Sequence, residues 1–130
     1  MSPVQQASFY SAIANDGAMP MPQLLQGEEV QVIEPISKES ANLIEDMLVQ
    51  TVNHENGTAR ALQDLNLPVA AKTGTAEFRG AGSEDNETNG FLLTYDAENH
   101  QFLMVAMLEN KASGDVIEAV KSFLPRLFQR

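Results

Sequence analysis

Apolar residues recur at helical spacing at both ends of the chain, and at strand-like density between them. The first periodic segment opens with Ser2-Pro3-Val4-Gln5, which carries a complete helix start. Ser2 can accept from the Gln5 backbone N–H, Gln5 can reach back, and Pro3 takes the first helical position. A helix is predicted to about Asn15, burying Val4, Ala7, Tyr10 and Ala14 with Ile13 beside them, and Asp16-Gly17 stops it with Gly17 left-handed. Met19 to Pro35 holds three prolines and a Gly-Glu-Glu turn and reads as an irregular connection, with a short strand over Val30 to Ile33. A second helix is predicted from Ser37, with Ile36 as its hydrophobic staple and Leu43, Ile44, Met47, Leu48 and Val52 as its apolar stripe. Asn56-Gly57 breaks it. A short third helix is expected over Thr58 to Leu65, with Ala59, Leu62 and Leu65 on one side and Pro68 closing the connection that follows.

The period then changes. Val69 to Phe78 is small and β-compatible, Arg79 to Gly90 is glycine- and acid-rich and predicts a long exposed loop, and Phe91 to Tyr95 predicts a second strand. Asp96-Ala97-Glu98-Asn99 is the turn of a hairpin whose partner is Gln101 to Glu109. That third strand is apolar without alternation, as expected when both faces are covered. Asp115 and Glu118 open a last helix that buries Ile117, Val120, Phe123, Leu124 and Leu127, with Pro125 bending its final turn. Helices, an antiparallel three-stranded meander and a covering helix define an α+β fold. One domain over residues 1–130 fits the length, which buries somewhat under ~70% of the unfolded surface.

Composition narrows the function classes. The chain is 43% hydrophobic and 20% charged, which is globular rather than disordered. Its 18 acidic against 8 basic residues give a net charge of −10, so nucleic acid and anionic membrane surfaces are poor partners. No apolar run approaches the ~18 residues of a membrane-spanning helix. Met1 to Gln6 does not have the pattern of a signal peptide. Cysteine is absent, which excludes disulfides and thiolate chemistry, and neither a metal nor a cofactor is expected.

Ala71-Lys72-Thr73-Gly74-Thr75-Ala76-Glu77 is the segment richest in chemistry. A glycine costs a strand packing and entropy, and so marks close approach of a backbone or ligand. Lysine offers a positive charge in an acidic protein and the threonines offer donors, which together suit an anionic, peptide-like ligand. The same residue types also suit an exposed edge strand with a solvated lysine. Other candidates are weaker. Asn66 and Ala71 stand where a phosphate-binding loop needs glycine. His54 and His100 read as solvated turn residues, Glu84, Asp85 and Glu87 as a solvated loop, and Met104 and Met107 as core. Nothing places two of Asp64, Glu77 and Glu109 together as an acid–base pair.

The Lys72-Thr73-Gly74-Thr75-Ala76-Glu77 stretch resembles the Lys-Thr-Gly box of the penicillin-binding transpeptidases, a serine acyl-transferase family that includes the β-lactamases. Ser2-Pro3-Val4-Gln5-Gln6-Ala7 followed by Tyr10-Ser11-Ala12-Ile13-Ala14-Asn15-Asp16-Gly17 resembles the family's S/T-P-x-Q-x-A helix, and Gly57-Thr58-Ala59 falls where the family has Gly-Thr-Ala. The resemblance spans the chain and implies the C-terminal part of a transpeptidase domain. It implies that Lys72 holds the substrate carboxylate, that Thr73 and Thr75 hydrogen-bond the ligand, and that the Thr75 N–H forms half of an oxyanion hole. Gly74 would let the nucleophile-bearing helix come close. It further implies a parent that cross-links peptidoglycan stem peptides, binds β-lactams, and is anchored outside the cytoplasm.

The family's Ser-x-x-Lys nucleophile pair is missing: no serine of the 130 residues has a lysine three positions later. Ser40-Ala41-Asn42 spells Ser-x-Asn, but it follows the S/T-P-x-Q helix, whereas in the family that motif precedes it. The isolated chain is therefore expected to be inert, with a non-catalytic peptide-binding module as the alternative. An upstream reading frame carrying both motifs separates the two. In the family, N-terminal strands lie beside the last strand, so without them Gln101 to Glu109 is expected to form a homodimer through its free edge.

Overall fold

The computed structural model describes residues 1–79 and 86–129. Helix α1 spans Pro3–Ala14, and strands β1 (Met19–Pro20) and β2 (Val32–Ile33) pair antiparallel in the connection that follows. Helix α2 (Lys38–Asn53) and a 3-10 helix (Arg60–Leu65) lead into the sheet. Its strands are β3 (Val69–Arg79), β4 (Asn86–Asp96) and β5 (Leu103–Leu108), antiparallel in the order β3-β4-β5. Helices α3 (Ser113–Lys121) and α4 (Leu124–Leu127) close the chain. The architecture is the expected α+β meander with helices on both faces.

The helix starts form as the sequence dictates. Ser2 N–H donates to Gln5 Oε1 (2.8 Å) and Gln5 N–H donates to Ser2 Oγ (3.2 Å), a full capping box. Ser37 Oγ accepts from the Ser40 N–H at 3.2 Å. Ala112 has no capping side chain, so Asp115 Oδ2 accepts the Ala112 N–H instead, at 3.0 Å. Asp16 and Gly17 are both left-handed, at φ 54° and 98°, and a Cβ on Gly17 would lie 2.4 Å from the Ile36 carbonyl oxygen. The chain therefore turns directly under the start of α2.

The sheet separates two cores. On one face Ala71 and Leu92 meet Leu62 of the 3-10 helix and Val116, Ile117, Val120 and Leu124 of α3 and α4. On the other, Ala70, Leu93 and Tyr95 meet Ile13 of α1 and Leu48 of α2. Strand β5 contributes half-buried residues to both, which explains its unbroken apolar run. The Tyr95 hydroxyl is buried with no hydrogen-bond partner among the described residues. Burial, and secondarily the nearby Glu45 carboxylate, hold it far above the ordinary phenol range, so it stays neutral.

Several expectations are corrected. Val4, Leu43, Met47 and Phe123 are exposed rather than buried, while Ala12, Ala41 and Val116 fill the core positions. Met107 is partly exposed, at 37%, rather than core. The third helix is 3-10 and runs Arg60–Leu65, with Leu62 and the preceding Ala59 fully buried. The C-terminal helix breaks between Lys121 and Leu124, because Pro125 has no N–H to continue the ladder. Part of the loop predicted over residues 79–90 is strand. β3 and β4 pair out to Arg79↔Asn86, past the last β5 pair at Gly90↔Leu108, as a two-stranded ribbon. Glu84 and Asp85 lie outside the described residues, and Glu87 stands in β4.

Candidate functional site

The Lys72–Thr75 segment sits in mid-β3, at one end of the sheet order. Antiparallel pairing fixes which backbone groups face outward. The Ala71 carbonyl accepts from Thr51 Oγ1 of α2 (2.6 Å) and the Thr73 carbonyl accepts from Lys72 Nζ, so odd residues turn their N–H and C=O groups away from β4. Thr73 and Thr75 therefore present their backbone to the open edge, while Lys72 and Gly74 bond inward to β4 opposite Leu93 and Phe91.

Side chains alternate in the opposite sense. Lys72 and Gly74 face the α1 side, where the helix and sheet diverge into a groove of about 540 Å³. Gln6, Phe9 and Tyr10 form its helix wall, and Phe91 and Leu93 its sheet floor beside residues 72–76. Lys72 is exposed. Thr73 and Thr75 point to the other face but border the same edge, and Thr73 Oγ1 bonds Thr58 Oγ1 at 2.9 Å. The threonines and the lysine thus flank one strand edge from its two sides.

Gly74 differs from the glycines that the fold requires. A Cβ on Gly57 would meet the Thr51 carbonyl oxygen at 2.2 Å, and one on Gly90 would meet the Ala112 backbone at 2.5 Å. A Cβ on Gly74 would meet only Phe91 Cβ, at an ordinary 3.6 Å. Nothing packed on β3 among the described residues demands a glycine here.

The remaining candidates are dispersed. His100 is held by Glu45, Nε2 to Oε2 2.9 Å, and is not the free turn histidine expected from its neighbours. His54 Nδ1 accepts from the Asn56 N–H at 3.1 Å, at the end of α2. Asp64 pairs with Lys121 Nζ at 3.1 Å, across from Glu118, and the two carboxylates hold that ammonium above its ordinary range. Ser40 lies in the first turn of α2 and bonds Ser37. No cluster of three or more metal-ligating side chains occurs among the described residues. The contribution of Thr58 was not legible from spacing alone. Its only signal is its place in Gly57-Thr58-Ala59, fifteen residues before Thr73.

Residues 1–128 match the penicillin-binding protein transpeptidase domain family. Penicillin-binding protein 3 of Bacillus subtilis (strain 168) is 32% identical over 115 residues, which cover 85% of this chain and 17% of the relative. Among solved structures, penicillin-binding protein 2B of Streptococcus pneumoniae (strain R6) superposes at a TM-score of 0.74 with 21% identity, covering 98% of this chain and 24% of that one. The transpeptidase domain of penicillin-binding protein 3 from Burkholderia pseudomallei superposes at 0.69 with 18% identity, covering 96% of this chain and 42% of that one. The chain belongs to the penicillin-binding protein transpeptidase family, and it spans less than half the length of each of these relatives. Among the described residues no helix is long and apolar enough to cross a membrane.

Proposed function

We propose that the chain is the Lys-Thr-Gly-bearing, C-terminal part of a serine D,D-transpeptidase domain that cross-links peptidoglycan stem peptides and is acylated by β-lactams. The observation that carries this reading is the open β3 edge at residues 73–75, set beside an unfilled groove and an exposed lysine. A carboxylate-terminated peptide lying along that edge meets the Lys72 ammonium and the Thr73 hydroxyl at one end. Farther along, the edge-facing Thr75 N–H takes the oxyanion of the tetrahedral intermediate. The attacking serine lies outside these residues, and its own N–H completes the oxyanion hole. Gly74 leaves room for the segment that carries it. Family membership supports a parent that acts outside the cytoplasm, where peptidoglycan and its peptides are.

General-base activation has no nucleophile to act on within these 130 residues. Incubation of the isolated chain with a fluorescent penicillin is therefore expected to give no adduct by intact-mass analysis. The same residues joined to a segment bearing Ser-x-x-Lys are expected to give a stoichiometric adduct that vanishes when that serine is replaced. A covalent adduct on the isolated chain would refute the assignment.

The other end of the sheet carries a second expectation. Strand β5 is the outermost strand opposite β3, and its backbone edge runs beside Met104, Ala106 and Leu108, which are only half buried. We propose that two copies of the isolated chain pair along this edge. Sedimentation velocity is expected to show a dimer as concentration rises, and a monomer at millimolar concentration removes the proposal.

A further inference from the structure

The turn Gly57-Thr58-Ala59 is fixed more tightly than its exposed position suggests. Gly57 N–H donates to the His54 carbonyl (2.9 Å) and Ala59 N–H donates to the Thr51 carbonyl (3.0 Å). Ala59 is fully buried, and the Gly57 Cα lies so close to the Thr51 carbonyl that no side chain fits there. Thr51 itself places its hydroxyl on the Ala71 carbonyl, 2.6 Å away, so one residue of α2 holds both the turn and the box strand. Between these anchors stands Thr58, exposed, with its hydroxyl 2.9 Å from that of Thr73.

This arrangement has a consequence for the proton of Thr73. A hydroxyl donates one hydrogen bond and accepts two. In the structure Thr73 Oγ1 donates to Thr58 Oγ1, so for Thr73 to donate to a carboxylate at the strand edge the pair must reverse roles, with Thr58 as donor and Thr73 as acceptor. That bond then fixes the Thr73 rotamer before any ligand arrives, and the ordering is not repeated on binding. Without it the Thr73 hydroxyl is free to turn toward other acceptors.

We propose that Thr58 is a positioning residue, whose hydroxyl bonds Thr73 from behind and aims the Thr73 O–H at the terminal carboxylate of a peptide ligand. The Ala71 carbonyl, already bonded to Thr51, sets the complementary limit, since a strand-added peptide must pair from the Thr73 N–H onward. The inference rests on the reading that Lys72 and Thr73 receive that carboxylate.

The test uses the 15N-labelled chain titrated with N-acetyl-D-alanyl-D-alanine, followed at the Thr73 and Thr75 amides. Thr58→Val is expected to weaken binding about 3–10-fold, the range for one lost hydrogen bond. Thr58→Ser is expected to stay within about twofold of the parent chain, because it keeps the donor. Thermal midpoints of both variants are expected within about 3 °C of the parent, as for exposed substitutions. Thr58→Val binding as well as the parent, or Thr58→Ser binding as poorly as Thr58→Val, overturns the positioning role while leaving carboxylate binding intact. If the unsubstituted chain shows no shift at Thr73 and Thr75, or if Lys72→Ala titrates like it, the carboxylate reading itself falls and takes the inference with it.

Discussion

Gly90→Ala is expected to lower the urea midpoint of the chain by about 1.5 M, a loss of about 3 kcal/mol at a slope near 2 kcal/mol/M. The added Cβ would stand 2.5 Å from both the carbonyl carbon and oxygen of Ala112 and 2.8 Å from the Ser113 nitrogen. These are backbone atoms and cannot rotate away. Relief requires moving either β4, the central strand, or the start of α3. The second course drags Val116, Ile117 and Val120 out of the larger core. The φ of Gly90 is not in the left-handed region, so the penalty is one of space alone. Gly114, in the first turn of α3, provides the matched contrast, since a Cβ there meets nothing within 4 Å. Gly114→Ala is expected to stabilise by about 0.5–1 kcal/mol through helix propensity and a less flexible unfolded chain. Equal shifts for the two substitutions would show that β4 and α3 are not packed as closely as described.

The parts of the fold written in local chemistry were legible in the sequence. The Ser2–Gln5 capping box, the left-handed Gly17, the turn after Asp96 and the strand through Lys72 each follow from residues within a few positions of one another. Periodicity located apolar faces but could not say what covers them. Leu43 and Met47 lie at proper helical spacing on α2, yet the chain folds with that part of the stripe outward, buries Ala41, and seats Leu48 and Val52 against the sheet. Phe123 went astray for another reason. The break before Pro125 turns it out of the line of Val116, Ile117 and Val120. The ribbon beyond β5 was hidden by composition, because the acids and polar residues of 86–89 signal a loop while backbone pairing depends on none of their side chains.

At the site the division is similar. Lys72, Thr73, Gly74 and Thr75 drew notice as odd choices for sheet packing, and resemblance to a family box supplied their roles. Their setting came only from tertiary contacts. Thr58 reaches Thr73 across fifteen residues, Thr51 reaches Ala71 across twenty, and Glu45 reaches His100 across fifty-five. No window of sequence contains such a pair, and each joins a polar group on a helix or turn to a residue of the sheet or of its β4–β5 turn. The groove likewise depends on how far α1 stands from the sheet, which the pattern of α1 alone does not specify.

In a polypeptide that joins these residues to the Ser-x-x-Lys segment, Lys72→Ala is expected to cut the second-order rate of penicillin acylation by about 10²–10³, the scale of removing one charged donor from an anion site. The size of the effect follows from the surroundings. These 130 residues carry a net charge of −10, so their summed charge repels an approaching carboxylate, which depends on a local cation to dock. Among the described residues the Lys72 ammonium bonds an adjacent carbonyl, that of Thr73, so its removal breaks no tie between described elements and the thermal midpoint should hold. Lys72→Arg keeps the charge but replaces a compact ammonium by a planar fork with a different reach and hydrogen-bond geometry. It is expected to recover part of the rate, within about tenfold of the parent. Raising salt from 0.05 to 0.5 M should narrow the gap between the parent or arginine variant and the alanine variant, because screening weakens the local attraction that only the cation supplies, while the repulsion it also relieves is common to all three. Acylation of Lys72→Ala at the parental rate would remove the lysine from the site, and a fall in its thermal midpoint would reassign the loss to folding.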